Sequence, residues 1–140
     1  MNFFIPRLSK ILSYARIPYR VKPEARECIL FANLCREASL KGELKAVWFS
    51  VTNEYSGGHN PVFGAVMGAM GRIRGSPDYV FLWNDGCACI EMKSQKGKLT
   101  PNQKIFKEWC ETKHVPYVVC YTVTEAFEKL REWNLISKNY

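Results

Sequence analysis

Two runs of β-favouring residues, Tyr79-Val80-Phe81-Leu82-Trp83 and Cys87-Ala88-Cys89-Ile90-Glu91-Met92, are separated only by Asn84-Asp85-Gly86. An Asp-Gly step between apolar runs is a strong hairpin signal, and a tight hairpin dictates which side chains of its two strands meet. If Asp85-Gly86 make a two-residue turn, Asn84 faces Cys87, and Asp78 lies opposite Lys93 with Glu91 one diagonal away. If Asn84-Asp85 make the turn instead, Asp78 faces Glu91 directly. Either register gathers Asp78, Glu91 and Lys93 on one face. An odd loop breaks the grouping, because a one-residue slip sends every side chain of a strand to the other face.

The remaining pattern supplies helices for such a ribbon to pack against. Cys28, Phe31, Ala32 and Cys35 recur at i, i+3, i+4 and i+7, the stripe of an amphipathic helix opened by Pro23 and ended near Lys41-Gly42. Ala46 to Val51 reads as a buried strand, followed by a polar, glycine-rich loop over Asn53 to Asn60 and a helix rich in small residues from Pro61 to about Met70. Thr100-Pro101-Asn102-Gln103 is a capping box with proline at the first helical position, opening a helix to about Thr112. Tyr117 to Thr122 is a further strand, and Thr124-Glu125 opens a last helix toward Trp133. The order α, β, α, β, β, α, β, α predicts an α/β domain with helices flanking a mixed central sheet.

A chain of 140 residues that is 47% hydrophobic and 24% charged has the size and make-up of one globular domain, which excludes a tail or linker protein. Its apolar runs fall short of the roughly 20 residues that cross a bilayer, so no membrane span is expected. The brief Phe3-Phe4-Ile5 run lacks a basic segment ahead of it, unlike a secretory signal. The expected location is the cytoplasm, of a bacterium or of a host cell if the chain is phage-encoded. There, Cys28, Cys35, Cys87, Cys89, Cys110 and Cys120 are expected as reduced thiols, and Cys87-Ala88-Cys89 is poor spacing for structural zinc. The formal charge is +7, and Arg7, Lys10, Arg16, Arg20 and Lys22 all precede the first acid, Glu24. Residues 1–22 therefore form a basic arm ahead of a compact domain over 23–140. Such an arm suits a polyanion such as nucleic acid, although a merely solvated basic terminus has the same composition.

Two carboxylates within reach of each other, beside a lysine, are costly unless a positive charge lies between them. Mg²⁺ or Mn²⁺ meets that need, since magnesium is typically held by one or two carboxylates together with phosphate oxygens and water. The metal would generate or orient hydroxide and polarise the phosphorus–oxygen bond. Lys93 would hold the attacking water or stabilise charge building on the phosphate. A surface ion cluster at a hairpin end is the bland alternative.

Ser76-Pro77-Asp78 followed by Glu91-Met92-Lys93 resembles the PD-(D/E)XK nuclease signature. From about Glu24 to Trp133 the surroundings look like the VRR-NUC family of virus-type replication and repair nucleases, in its stand-alone form. The pieces that carry the likeness are Gly57-Gly58-His59-Asn60, Gly75-Ser76-Pro77-Asp78, Ile90-Glu91-Met92-Lys93 and Gly97-Lys98-Leu99-Thr100-Pro101-Asn102-Gln103, with Val118-Val119-Cys120-Tyr121 before the last helix. The resemblance implies a restriction-endonuclease-like fold, metal ligation by Asp78 and Glu91, and Lys93 as the catalytic lysine. It also implies an acid on the first helix. Glu24 and Glu27 compete for that place, and Glu27 matches better because it precedes the apolar run Cys28 to Phe31; Cys28 stands where the family usually has glutamine. The carbonyl of Met92 is a further candidate ligand. Gln103 corresponds to a family glutamine near the site, and its place in the capping box explains it equally well.

By resemblance, the expected activity is metal-dependent, structure-specific endonucleolytic hydrolysis of DNA without a covalent intermediate, carried out by a homodimer on branched substrates such as four-way (Holliday) junctions. Other candidates for the site are His59, as a DNA contact or loop-ordering residue, and Arg72, Arg74, Lys96 and Lys98, as backbone grips that position DNA without reading its sequence or as ordinary solvated cations. Gly64, Gly68, Gly71 and Gly75 do not make a phosphate loop and are read as allowing close helix packing. Two other functions keep the same charge and fold: a nucleic-acid-binding module that does not cleave, and the nuclease subunit of a larger restriction or replication assembly.

Overall fold

A computed structural model describes residues 7–51 and 61–137. The Phe3-Phe4-Ile5 run and the Asn53 to Asn60 loop, His59 included, lie outside the described residues. The elements are α1 (Pro23–Leu40), β1 (Val47–Ser50), α2 (Pro61–Ala69), β2 (Tyr79–Trp83), β3 (Gly86–Met92), α3 (Pro101–Thr112), β4 (Tyr117–Cys120) and α4 (Val123–Glu132), in the expected succession. The strands form one sheet in the order β1-β2-β3-β4. β2 and β3 are antiparallel. Cys89 N–H donates to the Pro116 carbonyl and Lys93 N–H to that of Cys120, so β4 advances in step with β3 and runs parallel to it, with α3 as the crossover. The molecule is thus an α/β protein with a mixed sheet and flanking helices. No described helix is long and apolar enough to cross a membrane.

The chain forms two compact units, one of Met1–Val47, Met92–Gly97 and Cys120–Tyr140, the other of Trp48–Glu91 and Lys98–Val119. In the first, α1 starts at Pro23, whose missing N–H is one the helix would leave unbonded anyway, and ends where Gly42 takes up a φ of 73°. Phe31, Ala32, Cys35 and Ala38 are buried, and α1 packs against α4, which buries Ala126, Phe127 and Leu130. Asn33 is 5% exposed, and its amide closes on Ala15. Asn33 Oδ1 accepts from Ala15 N–H at 3.0 Å, and Asn33 Nδ2 donates to the Ala15 carbonyl at 2.8 Å. The basic arm is therefore tied to α1 at its middle, a bond that charge reasoning alone does not suggest. α4 opens at Val123 rather than Thr124, because Thr122 is the cap: its hydroxyl accepts from Glu125 N–H, while the Glu125 carboxylate accepts from Tyr121 N–H. That duty takes Tyr121 and Thr122 out of the strand, so β4 ends at Cys120.

In the second unit, the capping box of α3 forms as expected, with Thr100 Oγ1 accepting from Gln103 N–H and Gln103 Oε1 accepting from Thr100 N–H. The hairpin turn is Asn84-Asp85, since Trp83 pairs with Gly86 and Tyr79 with Ile90. Gly86 is thus a strand residue, and neither Asn84 nor Asp85 has positive φ. A Cβ on Gly86 would lie 2.8 Å from the Trp83 ring, so the glycine serves ring packing rather than turn geometry. Cys87, Cys89 and Glu91 alternate onto one face of β3, where α3 meets them with Gln103 and Cys110. Ala88, Ile90 and Met92 occupy the other face and are fully buried.

Two packing expectations fail. β1 is not a buried strand: Val47 is 68% exposed and Phe49 47%. Among the described residues it lies at the end of the sheet with β2 as its neighbour, and Trp48 turns inward, stacking on Phe81 with ring centroids 6.5 Å apart. Nor do Gly64 and Gly68 admit a neighbouring helix, for among the described residues nothing lies within 4 Å of a Cβ placed on either, and α2 buries none of its residues. Gly75 does meet the expectation of close approach. Its φ is +86°, and an added Cβ would lie 2.8 Å from the Gln103 nitrogen, in the first turn of α3.

Candidate functional site

The approach of Gly75 to α3 seats the buried Ser76 and Pro77 and delivers Asp78 to the start of β2. Of the two registers open to the sequence, the observed one extends to place Asp78 opposite Glu91. Glu91 is 1% exposed. A carboxylate so far out of water is tolerated only when its oxygens are bonded. Glu91 Oε2 accepts from Asp78 N–H at 3.1 Å, and Glu91 Oε1 accepts from Gln103 Nε2 at 2.9 Å. Gln103 therefore does both things the sequence left open, its Oε1 capping α3 while its amide nitrogen holds Glu91. The Asp78 and Glu91 carboxylates each offer an oxygen within 4.8 Å of the other. Two hard oxygen donors at that separation fit Mg²⁺ or Mn²⁺ better than a soft, thiophilic ion. Nearby, burial first, then the charges of Glu91 and Asp78, push the Tyr117 phenol well above its usual range and keep it protonated.

In the other unit, Lys93 directly follows the end of β3, and its N–H donates to the Cys120 carbonyl at 2.9 Å. Lys93 is only 7% exposed, and its Nζ lies 3.9 Å from Glu24 Oε1. Glu24 occupies the first turn of α1. Glu27 is placed differently: its Oε2 accepts from Val123 N–H at 3.0 Å and so satisfies a donor at the start of α4. The helix acid beside Lys93 is thus Glu24, not Glu27, which the resemblance favours. Apolar periodicity could not separate the two, because both border the stripe. A cue was nonetheless present in the Thr-capped start of α4, whose exposed N–H groups call for a carboxylate.

Met92 is fully buried. Arg74, Lys96 and Lys98 are exposed and Arg72 half-buried, and none forms an ion pair with a described residue. Arg72 and Arg74 lie on the segment that leads into Asp78, and Lys96 and Lys98 follow Lys93 on the way to α3. All six cysteines are free thiols. Burial raises Cys89 to about 12, and Cys110 is also raised by burial, so both are inert core thiols rather than nucleophiles. Sequence reasoning passed over Tyr117 as a residue of this neighbourhood; it reads as an ordinary strand aromatic, and only the parallel pairing of β4 with β3 brings it beside the face that carries Glu91. Compared with models of known protein families, with curated proteins and with solved structures, the chain matches none.

Proposed function

We propose that the protein is a metal-dependent endonuclease of the PD-(D/E)XK type, similar to the VRR-NUC family, that hydrolyses phosphodiester bonds of branched DNA and acts as a homodimer. One observation carries the reading: Glu91, almost wholly removed from water, is held by an amide from α3 and by the backbone of Asp78, with the Asp78 carboxylate beside it. Paired acids in a protein interior are a liability to folding, and a binding-only module for phosphate would be weakened by them.

Asp78 and Glu91 would hold Mg²⁺ or Mn²⁺, while Glu27 is engaged at the start of α4. Bound there, the ion supplies Lewis-acid stabilisation to the phosphate oxygens and orients the water. The protein's own groups do the rest. Gln103 supports the Glu91 carboxylate through one of its oxygens, as a hydrogen-bonded amide does for a ligating acid. Lys93, two residues after Glu91, would supply an ammonium to the negative charge growing on the phosphate. The nearby Glu24 carboxylate, 3.9 Å away, orients that ammonium. Arg72, Arg74, Lys96 and Lys98 grip the DNA backbone, and two symmetric sites in a dimer account for paired cuts across a junction.

The test is cleavage of labelled duplex, flap and four-way-junction DNA by purified protein with Mg²⁺, with Mn²⁺ or with chelator, beside Glu91→Ala and Lys93→Ala. Cutting is expected only with metal. Glu91→Ala should bind junction DNA without cutting it, and Lys93→Ala should lose about a hundredfold to a thousandfold in rate. Undiminished cutting by Glu91→Ala, or cutting in chelator, would overturn the proposal.

A further inference from the structure

Among the described residues, the hydroxyl of Tyr117 is buried and has no hydrogen-bond partner. Buried hydroxyls are nearly always bonded, and one that is not calls for an explanation in strain, in a missing partner or in function. Its surroundings are specific. The Tyr117 ring packs with Cys89, two residues before Glu91 on the same face of β3, and lies 6.4 Å between ring centroids from Phe106, one turn after Gln103 on α3. The residues on either side are thus continued, toward the site, by the two that bond to each other, Glu91 and Gln103.

We infer that Tyr117 is a positioning residue for Glu91, its hydroxyl being the donor that closes onto the Glu91 carboxylate when that group turns to bind a divalent cation. The inference rests on the metal-site reading of Asp78 and Glu91. In the described arrangement the Glu91 oxygens face Asp78 N–H and the Gln103 amide, and the phenol stands by unbonded. If a cation took one Glu91 oxygen as a ligand, a further donor would be needed to hold the other, and the Tyr117 hydroxyl is the buried donor at hand. A phenol carries its proton at neutral pH and can donate it to a carboxylate oxygen. The arrangement trades stability of the metal-free protein for stability of the loaded one, as residues at functional sites commonly do.

The experiment compares wild type, Tyr117→Phe and Glu91→Ala by titration with Mn²⁺ alone, followed by calorimetry or electron paramagnetic resonance, and by thermal unfolding with and without Mn²⁺. Tyr117→Phe should melt at or above the wild-type temperature without metal, because an unsatisfied hydroxyl is gone. It should also bind Mn²⁺ about tenfold or more weakly, the usual loss for an outer-shell partner of a ligand. Unchanged Mn²⁺ affinity in Tyr117→Phe, with binding abolished in Glu91→Ala, would overturn the role of Tyr117 and leave the metal site standing. A Tyr117→Phe protein that melts lower would also overturn it, since the hydroxyl would then have a partner. Absence of Mn²⁺ binding by wild type would overturn both readings.

Discussion

Gly75 is the residue on which the geometry of the acid pair turns. Its φ of +86° lies in the left-handed region that L side chains rarely adopt, and its α-carbon abuts the backbone of Asn102 and Gln103. Both constraints act at once, so Gly75→Ala should cost about 1–3 kcal/mol for the strained conformation alone, and more for the overlap. Chemical denaturation measures this as a lowered midpoint. The effect should reach the site too, because the displaced loop is the one that presents Asp78 N–H to Glu91. A Gly75→Ala protein with the wild-type midpoint would show that the loop relaxes freely and positions nothing.

At the level of elements, the hairpin and α3 act together, and the capping box is where they join. Thr100→Ala removes the hydroxyl that accepts from Gln103 N–H and should lower stability by about 0.5–2 kcal/mol, with denaturant unfolding as the readout. Because Gln103 both caps α3 and holds Glu91, the same change should loosen the acid and raise the metal concentration needed for half-maximal cleavage. These elements were legible in the sequence for physical reasons. Thr100-Pro101-Asn102-Gln103 is a local signal whose bonds lie within one helical turn, and the Asn84-Asp85-Gly86 segment narrowed the register to two choices. Packing of β1 and α2 was not legible, since an apolar sequence states a preference for burial and says nothing of whether a partner is at hand. Glu27 and Tyr117 escaped for a similar reason. The Val123 N–H that Glu27 satisfies is 96 positions away, and the Cys89 beside Tyr117 is reached through a parallel crossover, distances at which no periodicity carries information.

For the whole molecule, the excess charge of +7 sets how it should meet a polyanion. Each phosphate contacted by a Lys or Arg should add about 0.9 to the steepness with which log affinity falls against log salt. The anchoring of Ala15 by Asn33 indicates where the arm can be cut without exposing a buried amide. Removing residues 1–12 takes away Arg7 and Lys10 and leaves that tie in place. The truncated protein should keep its thermal midpoint, bind junction DNA more weakly, and show a shallower salt slope by filter binding or fluorescence anisotropy. Identical slopes would mean that the front of the arm does not touch DNA.

The alternation along β3 has an evolutionary corollary. Because Cys87, Cys89 and Glu91 look one way and Ala88, Ile90 and Met92 the other, adding or deleting a single codon between Gly86 and Glu91 would turn the acid toward the opposite layer and present a hydrophobic side chain to Gln103. Changes of two codons would restore the facing. Length variation in this ribbon among descendants of the gene should therefore be found in even steps, or outside it.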